Sequence, residues 1–426
     1  MGVLVNENLT NTNRVVNKVK YNKLNLIILA IFPILFTVLG ASLYLKLILL
    51  AYFLFVLFQW GKKEAIFTYL YLVFFIPITR GDSTTIVAPI GIILSLVLSL
   101  DLLKGRKIGI GYFILLFVFG IYAARSMLQG DSYSILSIIY DLLIVIFIKF
   151  RLINNEQQKH EFWEKLYFYV FFAALVSIAC GIFSFQGLSD RFSLPIGIDR
   201  ACLLLVGGMI YPLFHIKNLL IKFGLIFILM FSLILTVSMT AIICLVTFIV
   251  ILLFYYLFMS KKVSVFSKYL LTVLVLAGFV VLGLWWTNGS SIAAVDKMID
   301  RMKLILTQIS NNELDKATTG RYEIIKVYLS YFNNFSLPDK LFGGGMSNYY
   351  QIAYYRNYSH NTPIDLLLFV GIIPSILFGL FVVKQFFNIK NSEERVKVIL
   401  FKSVMLTTCL SVSMLTGSYW LPFVLL

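Results

Sequence analysis

Residues 221–259 read IKFGLIFILMFSLILTVSMTAIICLVTFIVILLFYYLFM, two apolar runs (221–237 and 240–259) joined by a turn of a few residues. A membrane-spanning helix needs about 20 mainly apolar residues, and each run approaches that length. Applied outward from this pair, the same criterion places thirteen candidate spans. They lie at 24–40, 42–60, 65–79, 84–103, 108–124, 133–149, 162–185, 201–216, 221–237, 240–259, 268–286, 364–388 and 398–416. The segment after Gly417, SYWLPFVLL, is too short to cross and reads as a half-helix or an interfacial cap. Composition agrees: of 426 residues, 60% are hydrophobic and 13% charged, with a mean hydropathy of +0.91. A soluble globular chain carries about a quarter charged residues, so an ordinary soluble protein is excluded. The expected fold class is all-α, a polytopic integral membrane protein of about 12–14 transmembrane helices.

The order of segments defines the organisation. Residues 1–23 form a polar, basic tail, too long for the n-region of a cleavable signal peptide. Helices 1–11 occupy 24–286, a long loop 287–363, and the C-terminal helices 364–426. The loop holds an amphipathic stretch in which Val295, Met298, Ile299, Met302, Ile305, Leu306 and Ile309 recur at helical spacing, opposite Lys297, Asp300, Arg301 and Lys303. It reads as a helix lying on membrane or protein. A second helical pattern runs from Arg321 to Phe332, followed by Pro338 and the turn Gly343-Gly344-Gly345. Cys180, Cys202, Cys244 and Cys409 lie inside apolar runs without metal-like spacing and read as small core residues.

The formal charge of +16 is unevenly placed. Of 36 cations, 23 fall in the tail and in connections of one parity, eight in the long loop, and only five (Lys46, Arg80, Arg125, Arg191 and Arg200) in the short connections of the other parity. Cytoplasmic loops carry the excess of Lys and Arg. The N-terminus is therefore expected in the cytoplasm and the long loop outside it. The charge is topology and not a nucleic-acid surface. The outer set is biased toward Arg, which with Arg301, Arg321 and Arg356 accounts for seven of the chain's eleven. An Arg fork suits bidentate phosphate binding; single Arg residues can equally snorkel at the lipid interface or pair with Asp82, Asp131, Asp190 and Asp199. As a group they point to a diphosphate site.

His160 and His215 fall in expected cytoplasmic loops, which leaves His360 as the one outer imidazole. It stands in NYSHNTPIDLLLFVG, where Ser359 and Asn361 can cap a helix and Pro363 suits a first turn. A neutral-range pKa fits a general base, although a lone His is often structural. Other signals are weaker. Gly343-Gly344-Gly345 lacks the Lys-Ser/Thr of a phosphate loop and reads as a turn. Tyr349, Tyr350, Tyr354, Tyr355 and Tyr358 suit either sugar stacking or an interfacial belt. No Asp-x-Asp or carboxylate cluster marks a metal site on the outer loops, and no metal or cofactor is expected. Asp141, inside an expected span, needs a partner that the sequence does not identify.

TGRYEIIKVY, then FGGGMSNYY, then His360-Asn361 with Gly371 ten intervening residues on, together resemble the C-terminal signature of the O-antigen polymerase and ligase superfamily (Wzy and WaaL types), across about residues 318–380. The resemblance implies metal-independent, inverting glycosyl transfer on the outer face of a bacterial cytoplasmic membrane, from a glycan carried on undecaprenyl pyrophosphate. It implies that His360 activates the acceptor hydroxyl and that Arg321 holds the diphosphate, with Arg191 and Arg200 as further candidates; Arg125, Arg80, Asn361 and Arg356 join them as substrate-binding candidates by their expected outer placement. Implied partners are undecaprenyl-pyrophosphate-linked glycans and the lipid bilayer, with a chain-length regulator and a flippase of the same pathway, and no nucleic acid. One departure concerns the turn LTVSMTA: Met239 and Thr240 stand where many members carry an Arg, so either Arg200 or Arg125 substitutes in space or this chain holds its donor differently. Polymerase is favoured, joining repeat units into O-antigen or capsular polysaccharide. The alternatives are an O-antigen ligase acting on lipid A core and a lipid-linked oligosaccharide flippase, which needs no long outer loop.

Overall fold

The computed structural model describes residues 22–79, 86–102, 110–128, 132–153, 156–184, 194, 198–236, 238–259, 273, 280, 283–289, 293–318, 320–345, 359, 361–387 and 392–410. Among these, all regular structure is helical. The chain opens with α1 (Lys23–Leu39), α2 (Leu43–Phe55, continued by a π-helical turn Val56–Trp60), α3 (Lys62–Phe74) and a short α4 (Ile76–Thr79). Next come α5 (Val87–Leu102), α6 (Ile110–Leu128), α7 (Ser132–Phe147) and α8 (Glu156–Phe183). They are followed by α9 (Ile198–Gly208), α10 (Ile210–His215), α11 (Leu219–Leu235) and α12 (Met239–Phe254). The expected loop contains α13 (Ala293–Ser310), α14 (Leu314–Ala317), α15 (Arg321–Asn333) and α16 (Leu337–Phe342), and the chain closes with α17 (Thr362–Val370), α18 (Ile372–Phe387) and α19 (Ser392–Cys409).

Among the described residues, three helical stretches are long and apolar enough to cross a membrane: Leu43–Trp60, Gln157–Phe183 and Thr240–Phe258. They coincide with expected spans 42–60, 162–185 and 240–259. Lys23–Leu39, Ala201–His215 and Leu219–Leu235 are apolar but shorter. Three expected spans are interrupted: 65–79 at Phe75, 201–216 at Met209 and 364–388 at Gly371. A proline follows each break within two or three residues (Pro77, Pro212 and Pro374). Proline has no N–H for the i−4 carbonyl and its ring crowds that carbonyl, so the apolar run continues while the helix does not. Most of the expected span 268–286 lies outside the described residues.

At the centre, α3 is buried on every side from Glu64 to Phe74 and contacts α8 and α5, while α1 lies along α8. An all-round buried helix must satisfy its polar groups internally, because burying an unpaired charge is costly. The Glu64 carboxylate accepts from Lys165 Nζ at 2.7 Å, Tyr169 OH at 2.7 Å and Asn25 Nδ2 at 2.8 Å. Tyr52 OH in turn donates to Asn25 Oδ1 at 2.5 Å. One turn further, Tyr69 OH donates to Asp141 Oδ1 at 2.9 Å, which supplies the partner that this buried carboxylate needs. Pro33 sits inside α1, and the carbonyl that it deprives of a donor, that of Leu29, accepts from Tyr71 OH at 2.9 Å. The four cysteines form no disulfide and are buried, as their apolar settings indicate.

On the other flank, α9 packs against α8, α11, α12 and α19, and α6 packs against α7, α17 and α18. Helices α11 and α12 turn large apolar side chains outward, with Phe227 66% and Phe254 55% exposed. Surface of that kind over whole helices is unusual for a monomer in water.

Candidate functional site

Asn361 caps α17: its Oδ1 accepts from the backbone N–H of Ile364 at 3.2 Å, and Pro363 occupies the first turn, where no N–H is missed. The other end of the same side chain reaches across the fold, Asn361 Nδ2 donating to the carbonyl of Leu410 at the end of α19, at 3.4 Å. Ser359 Oγ accepts from Asn361 N–H at 3.1 Å and donates to the carboxylate of Asp365, which is fully buried. The residues on both sides of His360 are thus buried and hydrogen-bonded, which holds the chain at this point to the start of α17. His360 itself lies outside the described residues, as do Arg80, Arg191, Arg356 and the five tyrosines of 349–358.

The glycine turn is a backbone docking surface. Gly344 N–H donates to the carbonyl of Leu368 at 2.8 Å, tying the turn to the last turn of α17. Gly343 and Gly371 both have positive φ, +82° and +80°, and they face one another. A Cβ on Gly343 would lie 2.1 Å from the carbonyl oxygen of Phe369, and one on Gly371 would lie 2.4 Å from the nitrogen of Gly343. The turn reading of the sequence holds, and the structure adds its purpose: two strands of backbone approach closely enough that only glycine fits.

Arg321 is the first residue of α15, after Gly320 with φ of +82°. The first N–H groups of a helix lack intrahelical partners, and here side chains of the preceding segment supply them. Thr318 Oγ1 accepts from Tyr322 N–H at 3.0 Å and Asp315 Oδ1 from Glu323 N–H at 3.1 Å. Tyr328, fully buried, anchors α15, which packs against α17. The Arg321 helix, the glycine turn and the Asn361 cap are therefore assembled on one short helix, α17. Their elements are brought together from positions up to about 50 residues apart in the chain.

Arg125, at the end of α6, is joined to the same assembly: its Nη1 donates to Asp339 Oδ1 of α16 at 2.8 Å, and Ser336 Oγ donates to the other oxygen of that carboxylate at 2.7 Å. A residue expected to meet phosphate thus meets a carboxylate. Arg200 lies in the first turn of α9, and its side chain is outside the described set. Met239 opens α12 behind Ser238, whose hydroxyl accepts from Ala241 N–H at 3.4 Å. Two residues of this region escape the sequence reading, Asp339 and Asp365. A signal for Asp365 exists, since a carboxylate inside the apolar run IDLLLFV demands a reason. Among the described residues no three His, Cys, Asp or Glu side chains converge as metal ligands.

A second polar group occupies the other end of α19. His160 Nδ1 lies 3.4 Å from Glu394 Oε1, which accepts from Lys397 Nζ at 2.6 Å. His215 Nδ1 lies 3.6 Å from Glu164 Oε1, and Lys63 Nζ 3.7 Å from Glu161 Oε2. Both histidines, expected in loops, belong to helices: His160 to α8 and His215 to α10. From Glu394 to Leu410 the α19 segment rises roughly 24 Å at 1.5 Å per residue, shorter than the ~30 Å of a bilayer core, and the buried Lys402 lies between the two polar groups.

Comparison of the chain with models of protein families, with curated proteins and with solved structures finds no match in any of the three.

Proposed function

We propose that the chain is a polytopic membrane glycosyltransferase that polymerises undecaprenyl-pyrophosphate-linked repeat units into O-antigen or capsular polysaccharide at the outer face of a bacterial cytoplasmic membrane. The observation that carries the reading is the gathering of α15, the Gly343–Gly345 turn and the Asn361 cap on α17, the three separated parts of the sequence signature. A chance scatter of similar residues has no reason to converge. The polar separation along α19 supports the two-sided placement, with the Lys-rich end in the cytoplasm and the Asn361 end outside.

In this reading the acceptor hydroxyl attacks the anomeric carbon of the donor sugar from the face opposite the diphosphate. The new glycosidic bond forms as the bond to the diphosphate oxygen breaks, with inversion. His360 takes the hydroxyl proton, and undecaprenyl pyrophosphate leaves with the bonding pair. Charge grows on the leaving oxygen, and a fixed guanidinium near a low-dielectric boundary stabilises it where water would have to reorganise. Arg321, at the first position of a helix whose N-terminal dipole also favours anions, is assigned that role. Arg80, Arg191, Arg200 and Arg356 are the remaining cations of the diphosphate site. Arg125 enters it by exchanging Asp339 for phosphate. Asn361 fixes the His360 segment.

The test is in a strain that makes the glycan. His360→Ala and Arg321→Ala should leave membrane insertion intact and reduce the surface glycan to single repeats. Full-length ladders from both variants would remove the assignment. Unpolymerised units trapped on the inner face of a deletion strain would favour the flippase.

A further inference from the structure

Helix α13 carries one apolar stripe in two different states. Val295, Ile299, Met302, Leu306 and Ile309 follow one another at four- and three-residue steps, so they share a face. Val295 and Ile299 are buried, and the helix packs against α11. Met302 is half-buried, and Leu306 and Ile309 are 54% and 46% exposed. Among the described residues, the stripe therefore starts inside the protein and runs out past its edge with no side chain packed over Leu306 and Ile309. Leu304, exposed on the opposite face, is an isolated surface leucine of the ordinary kind.

Three observations identify what covers the free half. The helix that α13 packs against, α11, exposes Phe223, Phe227 and Phe231, so the helix carrying the uncovered stripe sits beside an element that already turns apolar side chains outward. Lys303, at the border of the stripe, lies over the ring of Trp286 at 5.4 Å, in the short helical segment that precedes α13. Tryptophan and lysine at the border of an apolar surface are the residue types that settle at the headgroup level. The opposite face carries Lys297, Asp300 and Thr307, all exposed, with Arg301 half-buried beside them, a mixture that suits water and phospholipid headgroups.

We infer that α13 is an interfacial helix, with its second half lying in the headgroup layer of the outer leaflet and Leu306 and Ile309 inserted into a phospholipid surface. An amphipathic helix in that position has its apolar face about 5–10 Å into the boundary. The consequence is mechanical: α14, α15 and the Arg321 end follow directly in the chain, so the height of this part of the loop is set by lipid. Substrate headgroups attached to a polyprenyl chain arrive at that height. The inference needs membrane placement only and stands or falls separately from the glycosyl transfer.

The experiment uses the full chain in phosphatidylcholine nanodiscs with a spin label at one introduced cysteine, in Leu306→Cys, Ile309→Cys, Lys297→Cys and Thr307→Cys. The four native thiols are buried and leave labelling to the introduced one. Collision rates with oxygen, which partitions into lipid, are compared with those of a water-soluble nickel complex. At 306 and 309 oxygen should exceed the nickel complex severalfold, and at 297 and 307 the order should reverse. Equal access of the nickel complex to all four sites would overturn the inference, as would shielding of 306 and 309 from both reagents, the result expected of a second copy or a protein partner.

Discussion

Gly343 and Gly371 have the narrowest tolerance of any positions near the site, since each approaches backbone where a Cβ would overlap by more than an ångström of ordinary contact. Both also hold positive φ, which an L side chain adopts at a penalty of order 1–3 kcal/mol. Gly343→Ala and Gly371→Ala should each lower stability by at least about 2 kcal/mol, strain and overlap acting together. Gly379→Ala in α18, where a Cβ meets nothing within 4 Å, is the control and should stay within about 1 kcal/mol of the parent. Thermal unfolding in detergent reads all three. Equal behaviour of the three variants would mean that the turn does not dock on α17 as described. At this scale Arg321 and Asn361 were legible as residues of interest, and so was the turn character of the glycines. The contact between Gly343 and Gly371 was not, because it depends on two segments meeting and neither segment names the other.

Elements were legible where an apolar run and a helix coincide and illegible where proline divides them. The runs 65–79, 201–216 and 364–388 look continuous in hydropathy, yet Pro77, Pro212 and Pro374 each lie just beyond a break. Gly371 followed three residues later by Pro374 is a helix-end signal that hydropathy alone conceals. Pro33 is the counter-example, kept inside α1 because the Tyr71 hydroxyl satisfies the freed Leu29 carbonyl. Tyr71→Phe should therefore cost about 1–3 kcal/mol by leaving a buried carbonyl without a donor. In a Pro33→Ala background, where residue 33 regains its own N–H, the same change should be close to neutral. A double-mutant cycle in thermal stability checks this, and additive effects would show that the two residues are not coupled. The same reasoning explains Asp141, whose need for a partner was readable although Tyr69, 72 residues earlier, was not.

For the whole molecule, the sequence distributes 23 of 36 cations to one side by loop parity, and the fold places two separate polar groups at the two ends of α19. The parity argument requires that the runs broken at Phe75, Met209 and Gly371 each end on the side opposite to where they begin. A membrane-impermeant thiol reagent applied to intact cells should label Lys316→Cys, an exposed position of α14, and should reach Lys217→Cys only after permeabilisation. The reverse pattern, or labelling of both in intact cells, would contradict the orientation. In the proposed orientation the histidines near Glu394 and Glu164 lie at the cytoplasmic end, away from the proposed chemistry.

Purified protein reconstituted in liposomes with undecaprenyl-pyrophosphate-linked repeat units as the only glycan tests the central claim most directly. The account predicts a ladder of lengthened lipid-linked glycan, one undecaprenyl pyrophosphate released for each unit added, and no requirement for lipid A core. Repeat units that stay unjoined in that system, or that are transferred only once a lipid A core acceptor is supplied, would contradict it.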